Sequence, residues 1–235
     1  MPGVSVPGVS VRLVVRAFSE LCITVGTLIV LFVVYLLYWT GVKADSAADS
    51  QISQLHHQWA RAPATSAPQR TGPPAPAPYT EGKSFAVMYI PRLGKDWHKP
   101  VLEGTGVKDL QKGLGHYAAT ARLGQPGNFS VAGHRRTYGD PFKDFPELRP
   151  GDAVVLTDGT TWFTYRVDNK PYRTVPSDTG VIDPVPAKSP FRSPGRYLTL
   201  TTCDPEWGSS HRLIAWGHLD STAPVAAGKP QALTS

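Results

Sequence analysis

The stretch Tyr197-Leu198-Thr199-Leu200-Thr201-Thr202-Cys203 alternates between apolar and hydroxyl side chains and stops at a thiol. Period-two alternation in β-branched and aromatic residues predicts a strand with two distinct faces. A polar loop follows, Asp204-Pro205-Glu206-Trp207-Gly208-Ser209-Ser210-His211, and a second alternating run opens with Arg212-Leu213-Ile214. If the two runs pair, Cys203 and Arg212 face each other across the mouth of that loop. Cys203 then shares a face with Thr201 and Thr199, and Arg212 with Ile214 and Trp216. A guanidinium beside a thiol can lower its pKa from about 8.5 and can donate to an oxyanion.

Outward from this pair the texture is the same. Short β-rich runs at 85–90, 128–133, 153–157, 161–167, 173–175, 197–203 and 212–219 are separated by Gly, Pro and Asp. Arg149-Pro150-Gly151-Asp152 and Thr157-Asp158-Gly159-Thr160 are turn sequences, the second joining two runs as a hairpin. Short helices are expected over 106–112 and 141–148. The fold class is therefore mainly β, a closed or nearly closed antiparallel barrel over residues 83–221 with a flexible Ala/Pro-rich tail at 222–235. About 140 residues suffice for one core.

Toward the N-terminus the chain changes character. Residues 21–39 carry no charge. A helix of that length spans roughly 28 Å, close to the hydrocarbon thickness of a bilayer. Arg12 and Arg16 lie before it and Lys43 after it. The positive-inside bias puts residues 1–20 in the cytoplasm and the rest outside. A cleaved signal peptide has a shorter apolar core followed by small residues, whereas this run ends in Tyr35, Tyr38 and Trp39. An uncleaved transmembrane anchor over 21–40 is the expectation. Residues 41–82 read as an extracellular stalk, with a short helical pattern at Ile52, Leu55 and Trp59 and prolines at 63, 68, 73, 74, 76 and 78 that favour an extended chain.

The formal net charge of +6 is modest, and residues 81–221 hold eighteen basic against fifteen acidic groups. Without a Lys/Arg block, nucleic acid is excluded as the main partner. The cysteines are Cys22 and Cys203. Cys22 lies in the apolar run, so neither an intramolecular disulfide nor a thiolate zinc site is expected. A zinc site of Cys203 with His211 and His134 would have ligand spacings that fit no structural pattern. No metal and no cofactor are expected.

The third candidate is His134, which closes Asn128-Phe129-Ser130-Val131-Ala132-Gly133-His134. A histidine near a thiol can hold a proton for a leaving group and remove one from an attacking amine. Cys203, His134 and Arg212, each at a strand end, suffice for acyl transfer through a thioester. His211 is the alternative base. Each residue alone also has a bland reading: a buried thiol, a turn histidine, a solvated hairpin charge. The joint pattern favours chemistry, with hydrolysis to a free acid or a non-catalytic wall-binding module as the rival outcomes.

Thr199-Leu200-Thr201-Thr202-Cys203, with Arg212 nine residues on and Ala132-Gly133-His134-Arg135 upstream, resembles the sortases, membrane-anchored cysteine transpeptidases of Gram-positive bacteria. The resemblance covers about residues 83–221 and includes Ile90-Pro91-Arg92-Leu93-Gly94 and Gly113-Leu114-Gly115-His116-Tyr117. With the single anchor it is most similar to the class E branch of high-GC actinobacteria. The resemblance implies a sortase-type barrel and cleavage of the Thr–Gly bond in a Leu-Ala-X-Thr-Gly or Leu-Pro-X-Thr-Gly sorting signal of surface proteins. It implies Cys203 as nucleophile, His134 as general acid and base, and Arg212 as holder of substrate and oxyanion. It further implies Thr202 beside the oxyanion site, Tyr117 by the signal groove, and resolution of the acyl-enzyme by an amine on a lipid II-like peptidoglycan precursor. Ala215-Trp216-Gly217-His218 is bulkier than the family pattern.

Overall fold

The structure, a computed structural model, describes residues 11–61 and 78–234. The chain divides into two compact units, Met1–Thr40 and Gly41–Ser235. In the first, helix α1 (Val11–Arg61) begins with the 25 residues Val11–Tyr35, long and apolar enough to cross a membrane and unburied throughout. This begins ten residues before the expected anchor, because Val11, Leu13, Val14 and Val15 extend the apolar run past Arg12 and Arg16.

Among the described residues, the second unit is built on nine strands: β1 (Ser84–Tyr89), β2 (His98–Glu103), β3 (Leu114–His116), β4 (Gly127–Ala132), β5 (Ala153–Thr157), β6 (Thr161–Val167), β7 (Tyr172–Thr174), β8 (Arg196–Asp204) and β9 (His211–Pro224). A four-residue helix α2 (Val107–Leu110) and a short 3-10 turn at Phe145–Glu147 sit where helices were expected. The sheet order is β6-β5-β1-β2-β3-β4-β8-β9-β7. A further pairing of β6 with β9 closes eight strands into a barrel, leaving β7 attached to the outside of β9.

Alternation along each strand decides what fills the barrel. Ala86 and Met88 of β1, Leu198 and Leu200 of β8, and Leu213 and Ala215 of β9 join one core with Phe129, Phe142, Phe145 and Tyr165. The expected 157–160 hairpin forms between β5 and β6. Asp158 Oδ1 accepts from the amides of Thr160 and Thr161 at 2.9 Å, and Gly159 adopts φ +89°, where a side chain would be strained.

The structure departs from the expectations in three places. First, the barrel is not wholly antiparallel: β2 pairs with β3, and β4 with β8, in parallel. Second, part of the expected stalk belongs to the body. Residues 44–59 of α1 lie on the outer face of β1, where Ile52, Leu55 and Trp59 pack on Val87 and Tyr89. Ser84 Oγ donates to Gln51 Oε1 at 3.0 Å, and Lys99 pairs with Asp45 at 3.0 Å. The reason is that β1 is apolar on both faces: Val87 and Met88 point opposite ways, yet both are fully buried. The proline-rich part of the expected stalk, residues 62–77, lies outside the described residues. Third, the expected tail starts inside β9, whose Thr222, Ala223 and Pro224 still pair with Phe163, Trp162 and Thr161.

Candidate active site

The parallel seam between β4 and β8 gathers the site. Two neighbouring strands that run the same way end at the same rim, whereas antiparallel neighbours end at opposite rims. Ala132 pairs with Thr201, and the Gly133 amide donates to the Thr201 carbonyl at 3.1 Å. His134, next after Gly133, therefore leaves β4 beside Cys203 on β8. Strand β9 runs antiparallel to β8 and starts at this rim, with Arg212 as the partner of Cys203 in the register. The predicted Cys203–Arg212 juxtaposition is found as drawn from the alternation.

A cleft of about 250 Å³ is walled by His134 and Cys203 together with Arg136, Glu206 and Trp207. Cys203 is half-buried and unbonded to any other cysteine. His134 is also half-buried; burial pushes its imidazole below the ordinary histidine value and so favours the neutral ring. Its Nε2 is shielded from solvent and has no hydrogen-bond partner among the described residues. A neutral ring with one unengaged nitrogen, on the same cleft wall as a thiol, is equipped to take a proton from sulfur.

Backbone geometry fixes where that ring sits. A β-carbon on Gly133 would lie 2.6 Å from the Phe142 ring and 2.7 Å from Leu114, so only glycine lets the chain run this close to the core. The His134 carbonyl accepts from the Phe142 amide at 3.1 Å, and its ring packs 5.1 Å from that of Tyr138.

Further along the same outer face of β8 and β9 is a groove. Tyr117, Thr201, Arg212 and Ile214 line it, and Val175 and Val181 wall it from the segment after β7. Tyr117 Oη lies 3.1 Å from Thr201 Oγ1, so Tyr117 stands over β8 two residues before Cys203. Arg212 Nη1 donates to the carbonyls of Ser209 and His211, both at 2.9 Å. This commits one terminal nitrogen to the loop and leaves the rest of the fork for another oxygen. The bulky Trp216 lies under this region: its Nε1 donates to the Val181 carbonyl at 3.0 Å and supports the groove wall.

Thr202 requires a correction. Its side chain is one step out of phase with Cys203 and is buried, and its Oγ1 donates to the Gly133 carbonyl at 2.9 Å. It ties the histidine segment to β8 and does not present its hydroxyl beside the thiol. His211, the alternative base, lies 3.0 Å from Arg173 Nη2 and does not line the cleft.

Sequence reasoning missed an ion-pair cluster. Asp204, next after Cys203, receives Arg135 Nη1 on one oxygen and Arg173 Nε on the other, each at 2.6 Å. The three residues come from separate segments, so no spacing in the sequence announces them. The one available signal was position, since two of them adjoin Cys203 and His134. Among the described residues, no group of three or more His, Cys, Asp or Glu is placed to hold a metal ion.

The arrangement has relatives. A family model described as a sortase domain matches residues 88–220. Sortase SrtE1 of Streptomyces coelicolor is 40% identical over 227 residues, 94% of this chain. The alignment spans 61% of that relative's length. The solved structure of sortase E from Streptomyces avermitilis is 75% identical, with a TM-score of 0.63 over 66% of this chain and 99% of that one. Sortase E1 from Streptomyces coelicolor, solved with a tripeptide in the active site, is 42% identical, with a TM-score of 0.62 over 68% and 99%.

Proposed function

This chain belongs to the sortase family, and from that premise we propose that it is a class E-like cysteine transpeptidase. Its substrates are surface proteins bearing a C-terminal Leu-Ala-X-Thr-Gly or Leu-Pro-X-Thr-Gly signal, and its acceptor is an amine on a lipid II-like peptidoglycan precursor. The observation that carries this reading is the convergence at one rim. His134 and Cys203 wall one cleft, and Arg212 is the register partner of Cys203. A relative that holds a tripeptide in its active site supports a peptide substrate.

In this reading the signal lies in the groove of Tyr117, Thr201 and Arg212. The Cys203 sulfur attacks the threonine carbonyl carbon while its proton passes to His134. The free part of the Arg212 fork holds the tetrahedral oxyanion. The C–N bond breaks, the glycine nitrogen takes the proton from His134, and a thioester remains. The acceptor nitrogen then attacks that carbon and gives a proton to His134. The C–S bond breaks, and the proton returns to sulfur. An anchor over residues 21–40 of α1 holds the chain in the membrane, with residues 1–20 inside the cell and the barrel outside.

The test is mass spectrometry of a signal peptide incubated with the full chain in detergent, with and without a glycine-terminated amine. A Thr–amine product is expected, and Cys203→Ala removes all turnover because no nucleophile remains. Free acid alone at saturating amine would assign hydrolysis instead. An active Cys203→Ala variant would remove the catalytic reading.

A further inference from the structure

We propose that the cleft between residues 134–137 and 206–208 is the subsite for the incoming amine, with Glu206 as the counter-ion that receives it as an ammonium. This rests on the transpeptidase reading and adds a place and a residue for its second substrate.

Access selects the cleft. The acceptor nitrogen must reach the thioester carbon on Cys203 and also surrender a proton to His134. The cleft is walled by both residues, whereas the groove that contains Tyr117 and Arg212 is walled by neither. An acyl chain in the groove therefore leaves the cleft as the approach for the nucleophile. His134, whose Nε2 has no hydrogen-bond partner among the described residues, is part of the wall of that approach.

Charge selects Glu206. Asp204 is close by but already holds two guanidiniums. Glu206 is different: its side chain is 45% exposed, lies in the cleft wall, and contacts Arg136 Nε at 2.8 Å. Arg136 does not depend on it alone. Its Nη1 reaches Asp140 at 3.4 Å, and its guanidinium lies 4.6 Å over the Trp207 ring. An ammonium can thus share or displace the Arg136 contact without leaving an isolated charge. Trp207, 69% exposed, offers an apolar face to the aliphatic stem that carries the amine. The ligand class is a primary ammonium on a short aliphatic or peptidyl stem. It sheds one proton to solvent, attacks as the free amine, and passes a second proton to His134 as the C–N bond forms and the C–S bond breaks.

The test uses the full chain in detergent, a fixed signal peptide, and two nucleophiles: a glycine-terminated peptide, charged at neutral pH, and hydroxylamine, which is not. The readouts are the ratio of acyl-transfer product to free acid and the half-saturating nucleophile concentration. Glu206→Gln keeps the shape and removes the charge. The expected result is a half-saturating glycine peptide concentration about three- to tenfold higher, with hydroxylamine use unaltered. Added salt should weaken glycine-peptide use by the parent and much less by the variant. Equal half-saturation for the glycine peptide in parent and variant would overturn the assignment. So would an equal loss with both nucleophiles, which would mean a displaced loop. A parent chain that never forms an acyl-enzyme would bring down the transpeptidase reading itself, a result distinct from both.

Discussion

Arg135 donates to Asp204 at 2.6 Å, and these are the residues next after His134 and Cys203. Arg173 grips the other Asp204 oxygen at 2.6 Å and also lies 3.0 Å from His211, the residue before Arg212. One carboxylate thus links the chain segments that carry all three candidate catalytic side chains. Arg135 is buried, so loss of Asp204 would strand its charge away from water. Misplacement of a reacting group by about 1 Å can cost on the order of a hundredfold. Asp204→Asn and Arg135→Ala should each lower kcat about ten- to hundredfold, with a smaller change in KM. Steady-state kinetics on a signal peptide checks this, and unchanged kcat in both variants would leave the cluster with no part in positioning.

The same carboxylate sets a pH dependence of stability. Burial alone would raise the Asp204 pKa, but hydrogen bonds and charge from Arg173 and Arg135 outweigh it and hold the group below the ordinary carboxylate range. A depressed folded-state pKa gives stability that is present above the unfolded value of about 3.9 and is lost as pH falls through the folded value. Denaturant titrations from neutral pH into acid should show the parent losing more stability than Asp204→Asn in that window. Parallel curves would mean that the two arginines do not favour the ionised form.

For His134 the shift is downward, and its cause is burial. Desolvation penalises the imidazolium whatever stands beside the ring. The ring should titrate below about 6.5 by NMR, and it should still do so in Cys203→Ala, where no sulfur is present. A midpoint above that value in the parent that drops in the variant would show instead a thiolate–imidazolium pair.

The facing of Cys203 and Arg212 was legible because alternation fixes register once two strands flank one loop. The meeting of Cys203 with His134 followed from family resemblance, since the parallel β4–β8 seam joins strands more than sixty residues apart. Strands β2 and β3 were not legible. His98-Lys99-Pro100 puts charge and a proline into one, and Leu114-Gly115-His116 is too short to show a period. The helix over 44–59 was half legible: Ile52, Leu55 and Trp59 had helical spacing, but their docking surface is the far face of a distant strand. Thr202 was misplaced because the family motif says nothing of phase, whereas the strand period does.

Arg212→Lys retains a charge but loses the planar fork. The native side chain uses Nη1 to hold the Ser209 and His211 carbonyls, which leaves Nη2 and Nε to face an oxyanion. A lysine has one nitrogen for both tasks. Turnover should fall about 10²–10³-fold, the size expected when an oxyanion donor is lost, with an unchanged melting temperature. Near-parental turnover would take Arg212 out of the oxyanion role.

Docking of α1 on β1 predicts a stability effect far from the cleft. Leu55 is 2% exposed and covers Val87, which has no exposure at all. About one turn of helix further, Trp59 lies over the β5–β6 hairpin, where a β-carbon on Gly159 would fall 2.3 Å from the indole. If these residues were only stalk, Leu55→Ala would change nothing. As a core position it should cost about 2–4 kcal/mol and lower the melting temperature by roughly 5–15 °C. The rate at which iodoacetamide modifies Cys203 well below that temperature should stay the same, because no cleft residue contacts the helix in the hydrophobic cluster that Leu55 joins. A melting temperature equal to the parent's would return residues 44–59 to the stalk.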